Sequence, residues 1–138
     1  MRIGRPIRVL LVEPDHSRRD TIRRLVQSAR DLQLMGLASS GEEALPLLVH
    51  GCPDVVVIAR GLPGMSGLEA VRRLRTTACT PAVVLLTPHP ISPDEARATG
   101  VSSALHGNAS RDRLLSAIRR AALSQGRGYP SLEVQEVL

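Results

Sequence analysis

The sequence predicts an open, doubly wound α/β fold, a five-stranded parallel sheet with helices on both faces. Three observations predict it. Strand-length apolar runs alternate with amphipathic helical segments about five times in 138 residues, the order that builds a parallel sheet with crossover helices. Two of the runs, Val55–Ile58 and Ala82–Leu86, are apolar at every position, as strands covered on both faces are. Most helical segments also open on a Ser followed three residues later by an acid, the capping-box pattern.

In chain order, Ile7–Val12 reads as the first strand. The first helix carries Ile22, Leu25, Val26 and Ala29 at i, i+3, i+4 and i+7, with Arg on its other face. Its start is read at Ser17–Asp20, a capping box with Asp in place of Glu. Leu34–Ala38 is the second strand, and Ser40–Glu43 opens the second helix. Val55–Ile58 is the third strand. Ser66–Glu69 opens the third helix, with its stripe at Leu68, Val71 and Leu74. Ala82–Leu86 is the fourth strand. Ser92–Glu95, with Pro93 at the first helical position, opens the fourth helix. Pro88, Pro90 and Pro93 forbid a helix of ordinary length there. Ser102–His106 is a weaker fifth strand, and Leu114, Ile118 and Ala121 mark the last helix. Residues 125–138, beginning near Gly126-Arg127-Gly128, read as a linker or tail.

Composition excludes several functions. All 18 basic residues are Arg, so no catalytic lysine exists. Tyr129 is the only aromatic, which removes the stacking platforms needed to bind single-stranded nucleic acid. The net charge of +5 comes from Arg spread over several helices, which read as solvated faces. No apolar stretch approaches the length of a membrane span. Cys52 and Cys79, without a CxxC pattern, read as reduced thiols of a cytoplasmic protein. No Gly-rich phosphate loop follows the first strand and Asp15-His16 lacks the D-x-H-x-x-G spacing of a cobalamin site, so the chain is not read as an enzyme. No cofactor or metal is expected. In a doubly wound sheet the functional crevice lies outside the carboxyl ends of the strands. The residues to inspect there are Glu13–His16, Ala59–Gly67, Thr87–His89 and Gly107–Asn108.

The segment PDVVVIARGLPGMSGLEAVRRLR (residues 53–75) resembles the third strand, loop and third helix of response-regulator receiver domains. VLLVEPDHSRRDTIRRLV (residues 9–26) is similar to their first strand and helix. SGEEALPLL (residues 40–48), VVLLT (residues 83–87) and residues 100–122 follow in order and spacing. The resemblance spans residues 7–124 and is nearest in detail to the NarL class. It implies a flavodoxin-like receiver fold over residues 1–124. It also implies that 125–138 lead toward a helix-turn-helix domain outside this chain, through which DNA would be bound.

Receivers take a phosphoryl group from a histidine kinase onto an aspartate. That requires a carboxylate nucleophile, a Mg²⁺ held by oxygen ligands and a lysine to pair the phosphate. Carried over by position, the acceptor is Ala59 and the acidic pair is Glu13 followed by Pro14. The lysine is Gly107, the aromatic switch is Ala104, and only Thr87 keeps the family's residue type at the sensing position. Asp15 is the nearest spare carboxylate, and its plainer reading is a helper of the first helix. Asp54 starts its strand and points away from the crevice. His16, His89 and His106 lack partner spacing and read as surface loop residues.

The resulting expectation is a receiver that signals without aspartyl phosphorylation, as a regulatory and homodimerising module of a transcription regulator. Its dimer faces are expected on the stripes of the first and last helices. A stand-alone interaction adaptor is the second reading. In a third, a small-molecule effector occupies a cavity left by Ala59, Pro14 and Gly107 and lined by Glu13, Thr87 and Arg60.

Overall fold

A computed structural model describes residues 5–74 and 79–124. Five strands, β1 (Ile7–Val12), β2 (Leu32–Ala38), β3 (Val55–Ala59), β4 (Ala82–Leu86) and β5 (Ser103–Leu105), alternate with five helices. These are α1 (His16–Ser28), α2 (Gly41–His50), α3 (Gly67–Leu74), α4 (Pro93–Thr99) and α5 (Arg111–Ser124). All strand pairs are parallel, in the order β2-β1-β3-β4-β5. The order reverses direction between β1 and β3, which opens a crevice beyond their carboxyl ends. The expected flavodoxin-like doubly wound fold is the fold observed.

Side chains alternate across the strands and divide the core in two. Val9, Leu11, Val55, Val57 and Val84 face α1 and α5, meeting Ile22, Val26, Leu114 and Ile118. Leu10, Val12, Val56, Ile58 and Leu85 face the other side, with Ala44, Leu48, Ala70, Val71 and Ala96. The apolar stripes of α1 and α5 are thus consumed by their own sheet. They are not the free dimer faces expected of them; the largest apolar side chain left exposed on either helix is Leu123.

Four boundaries differ from the expectation. β3 runs one residue beyond Ile58, to Ala59. β2 begins at Leu32 and carries an irregularity where Val9 pairs with Leu34 but Leu10 with Gly36. β5 is only three residues long. The cap of α1 is Asp15, not Ser17: the Arg18 N–H donates to Asp15 Oδ2 at 2.8 Å. The other three serine caps form as read, with the N–H groups of Glu43, Glu69 and Glu95 donating to Ser40, Ser66 and Ser92; the Glu43 carboxylate accepts the Ser39 N–H, and Glu69 and Glu95 pair with arginines. The prolines confine α4 to seven residues starting at Pro93. Gly100 then ends it in the left-handed conformation that glycine alone adopts without strain.

The cysteines correct the sequence reading outright. Cys52 and Cys79 form a disulfide with Cα atoms 5.5 Å apart. Val55 pairs with Ala82, so each cysteine lies three positions upstream of a paired residue, and the separation of 27 is the register offset of β3 and β4. Closing a loop of that size removes denatured-state entropy equivalent to about 3–4 kcal/mol. No helix among the described residues is long and apolar enough to cross a membrane. The expected linker at 125–138 and the stripe position Leu74 lie outside the described side chains.

Candidate functional site

The crevice is built from residues at or just beyond the carboxyl ends of β1, β3, β4 and β5. Glu13 follows β1, and its N–H donates to the Ala38 carbonyl at 3.0 Å, carrying the β1–β2 ladder one step past the strand. Its side chain is 1% exposed. Oε2 accepts the Asp15 N–H at 3.0 Å and lies 3.6 Å from Arg18 Nη1. Oε1 is buried without a hydrogen-bond partner. A buried carboxylate with one orphan oxygen is costly, so the neighbouring guanidinium matters to it.

Ala59 closes β3 at the crevice floor, 7% exposed. Beside it the chain turns through Gly61–Ser66 and returns so closely that the Gly67 N–H donates to the Arg60 carbonyl at 2.7 Å. Gly64 takes φ +80° there. Thr87 follows β4 and is buried; its N–H donates to the Leu105 carbonyl at 2.8 Å. Its hydroxyl donates to the His89 carbonyl at 2.9 Å and accepts the His89 N–H at 3.3 Å. Thr87 therefore holds its own loop.

Gly107 follows β5, and Arg18 fills the space beside it. A Cβ built on Gly107 would stand 3.1 Å from Arg18 Nε. Arg18 is the functional side chain that sequence reading missed. Its position on α1, one turn beyond the Asp15 cap, carries no signal that it reaches the β5–α5 loop. Arg60, expected in the lining, points elsewhere and pairs with Glu95 of α4 at 3.0 Å.

Together Glu13, Asp15, Arg18, Ala59, Thr87 and Gly107 line an open crevice of about 270 Å³, with Pro14 also at its rim. A second groove of about 400 Å³ shares Arg18 and Gly107 and continues along α1 to Asn108. Ala104, expected at a switch position, is fully buried in the core on the α2–α4 side. His16 is exposed at the start of α1, with Nδ1 3.2 Å from an Arg19 nitrogen. His106 Nδ1 accepts the Asn108 N–H at 3.0 Å. Asp54 sits at the opposite end of the sheet, where its Oδ2 accepts the Arg8 N–H at 2.8 Å and Oδ1 lies 3.8 Å from Arg5.

The donor set does not fit the Mg²⁺ that the family resemblance implies. Such an ion takes several oxygen ligands, usually more than one carboxylate. Here Pro14 and Ala59 offer none and the Asp15 carboxylate is committed to capping α1. A guanidinium already pairs with Glu13. Among the described residues no three acidic, His or Cys side chains gather closely enough to hold a metal.

Comparison with known proteins agrees with this architecture. The family model for the response regulator receiver domain matches residues 9–119. Response regulator UvrY of Escherichia coli (strain K12) is 30% identical over 132 residues, covering 94% of this chain and 60% of UvrY. A LuxR-family two-component response regulator from Aurantimonas sp. SI85-9A1 superposes with TM-score 0.79 at 25% identity, covering 96% of this chain and 95% of that one. The signal receiver domain of NarL from Mycobacterium tuberculosis superposes with TM-score 0.80 at 22% identity, covering 88% and 100%. The chain thus spans about 60% of the length of UvrY. With the doubly wound sheet and the crevice at its switch point, these matches make the chain a member of the response regulator receiver domain family, the receiving module of two-component signalling.

Proposed function

We propose that this receiver works without aspartyl phosphorylation, as a cytoplasmic regulatory module of a transcription regulator. Ala59 carries the reading. Its methyl group ends β3 on the crevice floor, where the resemblance places the attacking carboxylate, and a methyl has no lone pair to attack phosphorus. The surroundings agree with it. Arg18 lies against Gly107, where the family's ammonium would pair the phosphate, and is bound instead to Glu13. Output would pass to a DNA-binding helix-turn-helix domain outside this chain, with homodimerisation of the receiver as the regulated step. A stand-alone adaptor would have no such output. Incubation with acetyl phosphate and Mg²⁺ followed by intact-mass measurement is expected to show no phosphoryl adduct. A stable adduct mapped to Asp15 or any other carboxylate of the crevice would defeat the reading. Sedimentation tests the dimer: a monomer at high concentration would exclude homodimerisation.

A second reading has its own observation. The crevice has room for a small molecule and joins a buried, half-partnered carboxylate to a cation at the mouth. A metabolite carrying both a donor and an anionic group would satisfy both. Thermal-shift screening against small amino acids and other zwitterionic metabolites tests it. Stabilisation that disappears in Arg18→Ala is expected; no stabilisation across that set would remove the reading.

A further inference from the structure

We propose that Cys52 and Cys79 form a reversible dithiol–disulfide site, oxidised by a small-molecule or protein disulfide, at the rim of the sheet opposite the crevice. The proposal rests on the cytoplasmic reading. In a reducing compartment a disulfide is seldom permanent scaffolding and is more often transient and redox-responsive. Two observations carry it.

The first is placement. Parallel pairing of β3 and β4 in the register Val55↔Ala82 brings the two approaches side by side, with Cα atoms 5.5 Å apart. That separation is within the range a disulfide spans without moving backbone. The bond can therefore form and break while the sheet stays paired. The second is access. Cys52 is exposed and Cys79 half-buried, so an attacking sulfur can reach the pair in the folded protein.

The exchange is balanced without any further reactant. The Cys52 thiolate attacks one sulfur of the oxidant RSSR, forming a Cys52–SR mixed disulfide and expelling RS⁻. The Cys79 thiolate then attacks the Cys52 sulfur, forming the cystine and expelling the second RS⁻. The two protons of the protein thiols end on the two RSH products, and two electrons pass from protein to oxidant. Oxidation ties β3, the Ala59 loop and α3 into one covalent loop; reduction leaves the same elements held by packing alone.

The test uses the full chain, equilibrated natively in mixtures of reduced and oxidised glutathione. Samples are quenched in acid, alkylated under denaturing conditions and weighed. The protein should pass from two labels to none as the mixture turns oxidising, with a midpoint inside the range of cellular glutathione pools. The oxidised form should melt about 10 °C above the reduced one. Cys52→Ser and Cys79→Ser should each melt like the reduced form and not respond to oxidised glutathione. Two labels at every ratio would overturn the pairing itself. Resistance to fully reduced glutathione would also overturn the switch, leaving a permanent structural cross-link, and would not by itself decide the compartment. Equal melting of the two forms would show that the bond controls nothing.

Discussion

Arg18 lies over Gly107, with Nε 3.1 Å from where a Cβ would stand and Nη1 3.6 Å from Glu13 Oε2. A side chain of α1 thus bridges the residues after β1 and β5 and places a cation in the crevice. The crevice does not lack positive charge, as the bare absence of a lysine at Gly107 would suggest; the charge comes from helix α1 and is already paired.

Arg18→Ala should therefore destabilise the fold by about 1–2 kcal/mol, because Glu13 is left buried without its cation. The value stays modest because Arg18 is 41% exposed and water screens the pair. Glu13→Gln in the same background should recover part of the loss. A double-mutant cycle by urea unfolding checks this; a coupling energy near zero would mean the ion pair is incidental.

Gly67→Ala should be severely destabilising. The added Cβ would meet the Ala59 backbone carbonyl at 2.1 Å, and neither partner is a flexible side chain that can yield. A loss of roughly 3 kcal/mol or more is expected from chemical denaturation. Gly61→Ala, with open space around it, serves as the control.

Asp15→Ala should cost about 1 kcal/mol through loss of the α1 cap, whereas Ser17→Ala should cost much less. The contrast separates the observed cap from the one read in the sequence. Equal losses would show that Asp15 does not set the helix start.

Asp31 and Arg119 join the start of β2 to α5 by paired hydrogen bonds of 2.7 and 3.0 Å. Hydrogen bonding to Arg119 holds the Asp31 carboxyl below its ordinary pKa, despite an opposing contribution from burial. The carboxylate is thus favoured in the folded state, and the pair's contribution is complete above about pH 4. It fades as pH falls through the lowered folded value. Both side chains are nearly half exposed, so Asp31→Asn should cost under about 1 kcal/mol at pH 7. The difference from wild type should vanish in strong acid, and a difference that persisted there would assign it to packing.

Local rules made much of the fold legible. Runs such as Val55–Ile58 and Ala82–Leu86 show strand and double-sided burial at once, since one residue facing each core in turn requires every position to be apolar. Three of the four serine caps form as read because the hydrogen bond spans only three residues. The fourth slipped by two residues because Asp15 and Ser17 are both competent caps and the loop after Glu13 chooses between them. Within the site, Ala59, Glu13, Thr87 and Gly107 could be placed from sequence because each ends a strand or lies within two residues after one. Arg60 and Arg18 could not, since a long side chain at a strand or helix end can turn toward either neighbour.

The alternation of apolar runs and helical stripes alone determined the layered α/β architecture, and with it the placing of a methyl-bearing residue at the end of β3. Only the tertiary structure decided that Arg18 meets Gly107, that Cys52 meets Cys79 and that the stripes of α1 and α5 are spent on their own sheet. The first set depends on contacts within a few residues, which composition and spacing encode. The second depends on strand register and on loop paths, which for Cys52 and Cys79 join residues 27 positions apart, and which no local pattern carries.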